Sequence, residues 1–243
     1  MELFFSDRIG ADSLVLTPED SLHCARVLRH RVGDEICVID GEGTMYECTV
    51  LSDNPKQLSA GIVNRHPQWH AHPYRLAMGV CPTKNNERFE WFVEKAVEVG
   101  VDSIYPLEGD RSERRVYKGE RARKIALSAA KQSLKASLPE IGEMVPVRDF
   151  VGAGRNGLKL IAYCFEDERV PRRALSEVVS EYLSSHGENP EITVLIGPEG
   201  DFSPSEAEYA LQNGYVPVHL GPSRLRTETA ALVAVTQIYT ALV

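Results

Sequence analysis

Hydrophobic and polar positions change their period once along the chain. From Leu3 to about Ile62 short alternating runs, EICVIDGEG (35–43), TMYECTVL (44–51) and SAGIVNR (59–65), are separated by turn residues, the period-two pattern of strands with one wet face. Asp40-Gly41-Glu42-Gly43 between two of these runs predicts a β-hairpin. One helical piece interrupts the strands, TPEDSLHCARVLRHRVGD (17–34), with Thr17 as N-cap, Pro18 at the first helical position and Asp20 in the first turn. Together these predict a small β-barrel with an added helix.

The stretch HPQWHAHPY (66–74) contains two prolines and fits neither period, which marks a domain boundary. Beyond it strands and helices alternate: strand RLAMGVCP (75–82), helix NNERFEWFVEKAVEVG (85–100), strand SIYPLEG (103–109), basic helix ERARKIALSAAKQSLKA (120–136), strand LKLIAYCF (158–165), helix RRALSEVVSEYLSSHG (172–187), strand EITVLIG (191–197), helix SPSEAEYALQNG (203–214), strand YVPVHLG (215–221) and a terminal helix. This order predicts an α/β domain with a parallel sheet covered on both faces, so the chain divides into a barrel over 1–70 and a larger domain over 71–243. Ser203 and Glu206 form a capping-box pattern, Pro204 suits the first helical position and Gly214 the exit. In the first helix of this domain Phe89, Phe92, Val93, Ala96 and Val97 share one face, leaving Glu90, Glu94, Lys95 and Glu98 toward water.

Composition adds limits. A chain of 243 residues with 43% hydrophobic content can bury two cores and is not disordered. The longest apolar run, ALVAVTQIYTALV, is shorter than a membrane span, and MELFFSDRIG lacks the order of a signal peptide, so the expected location is cytoplasmic. Five scattered cysteines without a C-x-x-C pair read as reduced thiols, and His66, His70 and His72 read as linker residues; no metal site is expected. The net charge of −8 argues against nucleic acid, but its distribution does not. Between Arg111 and Lys135 nine basic residues face two acids, a local +7.

Two apolar strands end in Gly-Pro, at IGPEG (196–200) and LGPSR (220–224), with one helix between them. In a right-handed β-α-β unit both loops emerge side by side at the carboxyl edge of the sheet, where open α/β folds bind ligands. Neither loop carries a phosphate-binding glycine pattern. Proline removes an N–H and keeps its carbonyl, so such loops favour a ligand with an amino group, hydroxyls or a cationic centre. Ordinary strand-exit turns remain the other reading.

The segment IGPEGDFSPSEAEYALQNGYVPVHLGPSRLRTETAALVAV resembles the C-terminal signature of the SPOUT methyltransferases, specifically the RsmE family of 16S ribosomal RNA uridine-N3 methyltransferases. HCARVLRHRVGDEICVIDGEG (23–43) resembles that family's PUA-like barrel, FEWFVEKAVEVGVDSIYPLEGDRS (89–112) its first methyltransferase helix and strand, and AAKQSLKASLPEI (129–141) its Gln-containing segment. The resemblance implies S-adenosylmethionine as cofactor, a homodimer, a trefoil-knotted α/β domain, and N3 of a uridine in 16S ribosomal RNA of the small ribosomal subunit as the target, at position 1498 in the standard numbering of that RNA. It implies cofactor binding by Leu195, Ile196, Gly197, Pro198, Glu199, Gly200, Leu220, Gly221, Leu225, Thr227 and Tyr163. It points to catalytic roles for Arg226, Glu228 and Arg111, and to RNA contacts by Arg26, Arg29, Arg114, Arg115, Lys118, Gln132 and Lys135.

Four places depart from the family pattern. Gly200-Asp201 stands for Gly-Gly, and Asp tolerates the left-handed conformation the turn needs. Ser223-Arg224 stands for Arg and an aliphatic residue, so whether Arg224 acts on the base or only holds the loop stays open. Lys131-Gln132 and Leu134-Lys135 replace Glu-Gln and Gly-Arg, so Gln132 carries over and the missing Arg does not. Thr227 reads as the N-cap of the terminal helix, and Arg226 and Glu228 on either side act on the base or, alternatively, pair with each other and hold the loop. Lys95 and Glu98 match the family's Lys-x-x-Glu and equally suit a surface ion pair. Arg26 and Arg29, three apart on a helix, would share one face toward phosphates. Two other classes stay open: a non-enzymatic RNA- or ribosome-binding protein, and a Rossmann-type nucleotide enzyme. A SPOUT methyltransferase for a different RNA nucleotide is a further alternative.

Overall fold

In the first sixty-six residues the predicted alternation becomes strands β1 (Leu3–Phe5), β2 (Arg8–Ile9) and β3 (Ser13–Val15), helix α1 (Pro18–Leu22), and strands β4 (Glu35–Ile39), β5 (Met45–Ser52) and β6 (Ser59–His66). The structure is a computed structural model and describes residues 1–165, 170–185 and 189–242. It separates into two units, Met1–Ala71 with Leu127–Leu138, and His72–Ala126 with Pro139–Val243.

The first unit is a six-stranded sheet in the order β1-β4-β5-β6-β3-β2, antiparallel except for β1 beside β4. The hairpin forms where expected: Asp40 Oδ1 accepts from the N–H of Glu42 (2.7 Å) and Thr44 (3.0 Å), while Gly41 and Gly43 take φ of 82° and 111°. Alternate residues Ile36, Val38, Cys48, Val50, Leu58 and Ala60 fill the core with Phe4, Leu14 and Leu16. Thr17 Oγ1 caps α1 through the Asp20 N–H. Asp20 is itself buried, its carboxylate accepting from Phe5 N (2.7 Å) and Lys131 Nζ (2.6 Å).

The helix expected over 17–34 is much shorter. After α1 the chain widens into one π turn, His23–Val27, closed by Leu28 N to His23 O and His30 N to Cys24 O. Arg29 lies at φ 64°, outside any helix. Arg26 and Arg29 therefore do not share a helical face; the left-handed residue reverses the chain toward β4 instead.

The remaining elements follow in the order β7 (Arg75–Val80), α2 (Asn86–Val99), β8 (Ser103–Glu108), α3 (Glu120–Gln132), β9 (Glu140–Ile141), β10 (Val145–Pro146), α4 (Val147–Gly152), β11 (Leu158–Ala162), β12 (Arg173–Ala174), α5 (Leu175–Ser185), β13 (Glu191–Ile196), α6 (Pro204–Gln212), β14 (Val216–His219) and α7 (Thr227–Leu242); all belong to the second unit except α3 from Leu127 on, which belongs to the first. Every strand pair is parallel, in the order β10-β8-β7-β13-β11-β14-β12, with β9 also on β8. The helix expected over 172–187 starts at Leu175, and its residues 186 and 187 lie outside those described, as does Val243 of the terminal helix.

One topological expectation fails. β13 and β14 are not neighbours: β11 lies between them and pairs with both, so the two Gly-Pro loops flank the exit of β11 rather than each other. All three exits still reach one edge, because the strands are parallel.

α3 ends at Gln132, where Leu134 turns to φ 59° and Lys135 N closes on Ala130 O. Ala136 and Leu134 then pack on Leu3, Ile39 and Met45, which seals one side of the first unit. α2 starts at the Asn85 cap and buries the expected face, but Glu90 is buried as well and pairs with Arg121 Nε at 2.8 Å. Lys95 makes the surface ion pair with Glu98, at 2.8 Å. α6 carries the full Ser203–Glu206 capping box, and Gly214 at φ 81° ends it. α7 packs on α2, α5, β7 and β13, with Ala231, Ala234, Val235 and Ile238 buried, while Leu232, Val233 and Tyr239 stay half-exposed.

Candidate active site

The carboxyl ends of β13, β11 and β14 carry a cavity of about 830 Å3 and an adjoining one of about 320 Å3. Ala162, Ile196 and Val218, the last apolar residues of their strands, help to line the larger one. The β14 loop is held open by Gly221 at φ 128° and by Gln237 of α7, whose Nε2 donates to Leu220 O at 3.2 Å. In the β13 loop Pro198 O accepts from Asp201 N at 2.9 Å.

Asp201 takes the left-handed conformation its position requires, at φ 63°. It also does what a glycine could not. Its Oδ1 accepts from Phe202 N (2.8 Å) and its Oδ2 from Cys164 N (2.7 Å), which ties the β13 loop to the β11 exit. The β11 exit adds an aromatic wall: Tyr163 and Phe165 stack at 4.3 Å, and Arg172 Nη1 donates to Tyr163 O at 2.7 Å.

Most of the expected cofactor residues meet here. Tyr163, Ile196, Gly200, Leu220, Gly221 and Leu225 line the larger cavity; Ile196, Gly197, Pro198, Glu199, Leu225 and Thr227 line the smaller. Leu195 lines neither, being fully buried in the core beneath the loop. Arg111 reaches the larger cavity and donates from Nη1 to Gly200 O (3.1 Å), and Arg226 reaches the smaller.

Glu228 lines neither cavity. It is buried, 7% exposed, and faces Arg88 rather than Arg226. Thr227 is the first residue of α7 and not its cap, since the Arg226 carbonyl already accepts from Ala230 N at 2.7 Å. The contributions of Ala162 at the end of β11, of Cys164 and Phe165 just beyond it, and of Asp201, Arg172 and His219 to the larger cavity were not among the expected site residues, whereas Arg224, a candidate for acting on the base or holding the loop, lines it as well. The apolar strand LKLIA running into Tyr-Cys-Phe was the available signal for the first three.

The basic stretch is less positive in space than in sequence. Arg115 pairs with Glu108 (2.7 Å), Arg121 with Glu90, Arg123 with Glu143 (2.6 Å) and Lys131 with Asp20, all acids from outside residues 111–135. Arg114 gives its guanidinium to the carbonyls of Thr83 and Lys84. Lys118 is exposed. In the first unit Arg26 and Arg29 are exposed, Gln132 lines a cavity of about 650 Å3 beside Leu22, Val27 and Lys131, and Lys135 is half-buried. His66 lies 3.1 Å from Glu47, and His72 Nδ1 meets Tyr74 O at 3.0 Å. Among the described residues no group of three or more His, Cys, Asp or Glu is placed to hold a metal ion.

The chain matches two family models, an RNA methyltransferase domain over residues 70–239 and an RNA methyltransferase PUA domain over residues 16–63. It is 30% identical to the ribosomal RNA small subunit methyltransferase E of Mycobacterium bovis, covering 96% of this chain and 88% of that one, and 26% identical to the enzyme of the same name from Bacillus subtilis, over 94% and 90%. Among solved structures, a probable rRNA-methyltransferase from Porphyromonas gingivalis superposes with a TM-score of 0.84 at 37% identity, covering 100% of this chain and 98% of that one. A protein of Legionella pneumophila assigned as a methyltransferase, solved with its cofactor S-adenosylmethionine, superposes with a TM-score of 0.81 at 25% identity, over 99% and 98%. With a parallel sheet whose strand exits form the cavity, and both family models in their expected order, the chain belongs to the ribosomal RNA small subunit methyltransferase E family of RNA methyltransferases.

Proposed function

We propose that this chain transfers the methyl group of S-adenosylmethionine to N3 of a uridine in 16S ribosomal RNA, at the three-strand edge of its second unit. The observation that carries the reading is the cavity of about 830 Å3, of a size for a nucleoside-sized ligand and walled by loops without a phosphate-binding glycine pattern. The residues present fit that cofactor. Tyr163 and Phe165 offer an aromatic wall, the strand-end residues an apolar floor, and Gly221 leaves open space, since nothing lies within 4 Å of where its Cβ would be. When bound, S-adenosylmethionine supplies an electrophilic methyl on a sulfonium centre.

The protein's part is alignment and charge. N3 lies on the pairing edge of uracil and carries a proton, so the base has to enter the cavity unpaired. Negative charge grows on the ring as that proton leaves, and Arg111 at the larger cavity and Arg226 at the adjoining smaller one stabilise it. Solvent takes the proton in this reading. Arg26, Arg29, Arg115, Lys118, Gln132 and Lys135 hold the RNA.

The half-exposed apolar residues Leu232, Val233 and Tyr239 on α7 support a homodimer through that helix. A trefoil-knotted path and a cytoplasmic location complete the proposal; no helix among the described residues is long and apolar enough to cross a membrane. Calorimetric titration tests the cofactor. Binding of S-adenosylmethionine in preference to ATP or NAD is expected; no binding would leave an RNA-binding protein, and preference for ATP or NAD a Rossmann-type enzyme.

A further inference from the structure

The segment Gly109–Arg115 follows β8 and is built into the loop that follows β13. Asp110 N donates to Glu206 Oε1 (2.9 Å), and Asp110 Oδ2 accepts from Ser203 Oγ (2.5 Å); these are the two partners of the α6 capping box. Arg111 donates to Gly200 O, and the approach is close enough that a Cβ on Gly200 would lie 3.2 Å from Arg111 Cβ.

Arg114 makes the least obvious tie. Its Nε donates to Thr83 O at 3.0 Å and its Nη2 to Lys84 O. The N–H of Lys84 belongs to the same peptide unit as Thr83 O, and it donates to Glu199 Oε1 at 3.0 Å. A guanidinium, a peptide and a carboxylate thus form one chain of hydrogen bonds. A cation on the carbonyl polarises the peptide and strengthens its N–H as a donor to the carboxylate, and both ends are charge-assisted. Glu199 lines the smaller cavity next to Pro198 and Thr227. The planar fork of Arg114 fixes Thr83 and Lys84 in a way a lysine could not.

We propose that Arg114 is a positioning residue for the cofactor loop, acting on Glu199 through the Thr83–Lys84 peptide, and not a contact to RNA phosphate. The inference rests on the cofactor reading above. It revises the role that the sequence suggested for Arg114. Its position between basic neighbours Arg111 and Arg115 hides a side chain whose Nε and Nη2 are bound to backbone carbonyls.

The test is calorimetry with S-adenosylmethionine in the absence of RNA, on the wild type, Arg114→Ala, Glu199→Ala and the double variant, with RNA binding measured separately against salt. Arg114→Ala is expected to weaken S-adenosylmethionine binding roughly tenfold, the loss of one charge-assisted interaction. The double variant should lose less than the sum of the two singles, and the salt slope of RNA binding should stay that of the wild type. Unchanged cofactor affinity in Arg114→Ala, additive losses in the cycle, or an RNA salt slope reduced by about one would each overturn the proposal. If Arg114→Ala does not fold, Arg114→Lys and Glu199→Gln are read in the same cycle with the same criteria. A wild type that binds no S-adenosylmethionine overturns the cofactor reading itself, whereas a wild type that binds it and an Arg114→Ala that binds it equally well overturns only the role of Arg114.

Discussion

The carboxylate of Glu228, at the start of α7, stands 3.9 Å from the guanidinium Nε of Arg88 on α2, and its Oε2 is buried with no hydrogen-bond partner among the described residues. A buried carboxylate held by one long ion pair is a structural tie under strain of desolvation. Arg88→Ala leaves that charge uncompensated and should destabilise the fold by about 1–3 kcal/mol, while Glu228→Gln should cost less because it removes the charge. Denaturant melts of the two variants check this; equal losses would assign Glu228 no buried-charge penalty.

Cys164 is expected to be the cysteine that reacts with alkylating agents. It is exposed and lines both cavities, whereas burial pushes the thiol pKa of Cys24 up to about 11 and those of Cys48 and Cys81 up to about 12, and that of Cys37 upward as well. At pH 8 a thiol with a pKa near 12 is thiolate in only about one molecule in ten thousand. Mass spectrometry after iodoacetamide should find Cys164 labelled first, and S-adenosylmethionine should slow that labelling. Labelling unaffected by the cofactor would count against its placement at this edge.

Gly157 precedes β11 at φ 72°, and a Cβ there would lie 2.0 Å from Glu191 O, a backbone atom at the start of β13. Gly157→Ala should therefore destabilise by about 2–4 kcal/mol, with the entry of β11 pushed away from the start of β13. Thermal unfolding measures it; a melting temperature within a degree of the wild type would contradict the geometry.

Asp102 gives a pH signature. Burial raises its carboxyl above the ordinary value of 3.8, although it accepts from Leu76 N at 2.7 Å. The folded state then holds a proton that the unfolded state has released, so this group's stabilising contribution is present below pH 3.8 and is lost as pH rises to the raised folded value. Asp102→Asn, which keeps an acceptor for Leu76 N and cannot titrate, should flatten stability against pH in that window. An identical profile in the variant would show that Asp102 does not titrate there.

The strands, the hairpin and the α6 capping box were legible because each depends on residues close in sequence: Asp40 caps its own turn, and Ser203 and Glu206 cap the helix they begin. Asp201 was legible for its backbone conformation alone. Its bond to Cys164 N joins residues 37 apart, and nothing local encodes that. The same limit explains the insertion of β11 between β13 and β14, which depends on strand order, and the basic stretch, whose balancing acids Glu90, Glu108, Glu143 and Asp20 lie elsewhere in the chain. The short helix α4 fell in a stretch with no clear period. Arg29 was misplaced because continuing a helix through ARVLRH costs nothing in pattern, while the left-handed turn at Arg29 is set by closure onto Cys24.

RNA binding by the first unit should be electrostatic. Arg26→Ala and Arg29→Ala should each weaken RNA affinity and lower the salt slope by about 0.7–0.9, with S-adenosylmethionine affinity unchanged. Filter binding across a salt series reads both; unaltered RNA affinity would remove these two residues from the interface.

Nucleoside mass spectrometry of 16S ribosomal RNA from cells with and without this protein reads the methyl transfer itself. 3-Methyluridine should be lost in its absence and restored by the wild-type chain. Undiminished 3-methyluridine, or loss of a different modified nucleoside in its place, would contradict it.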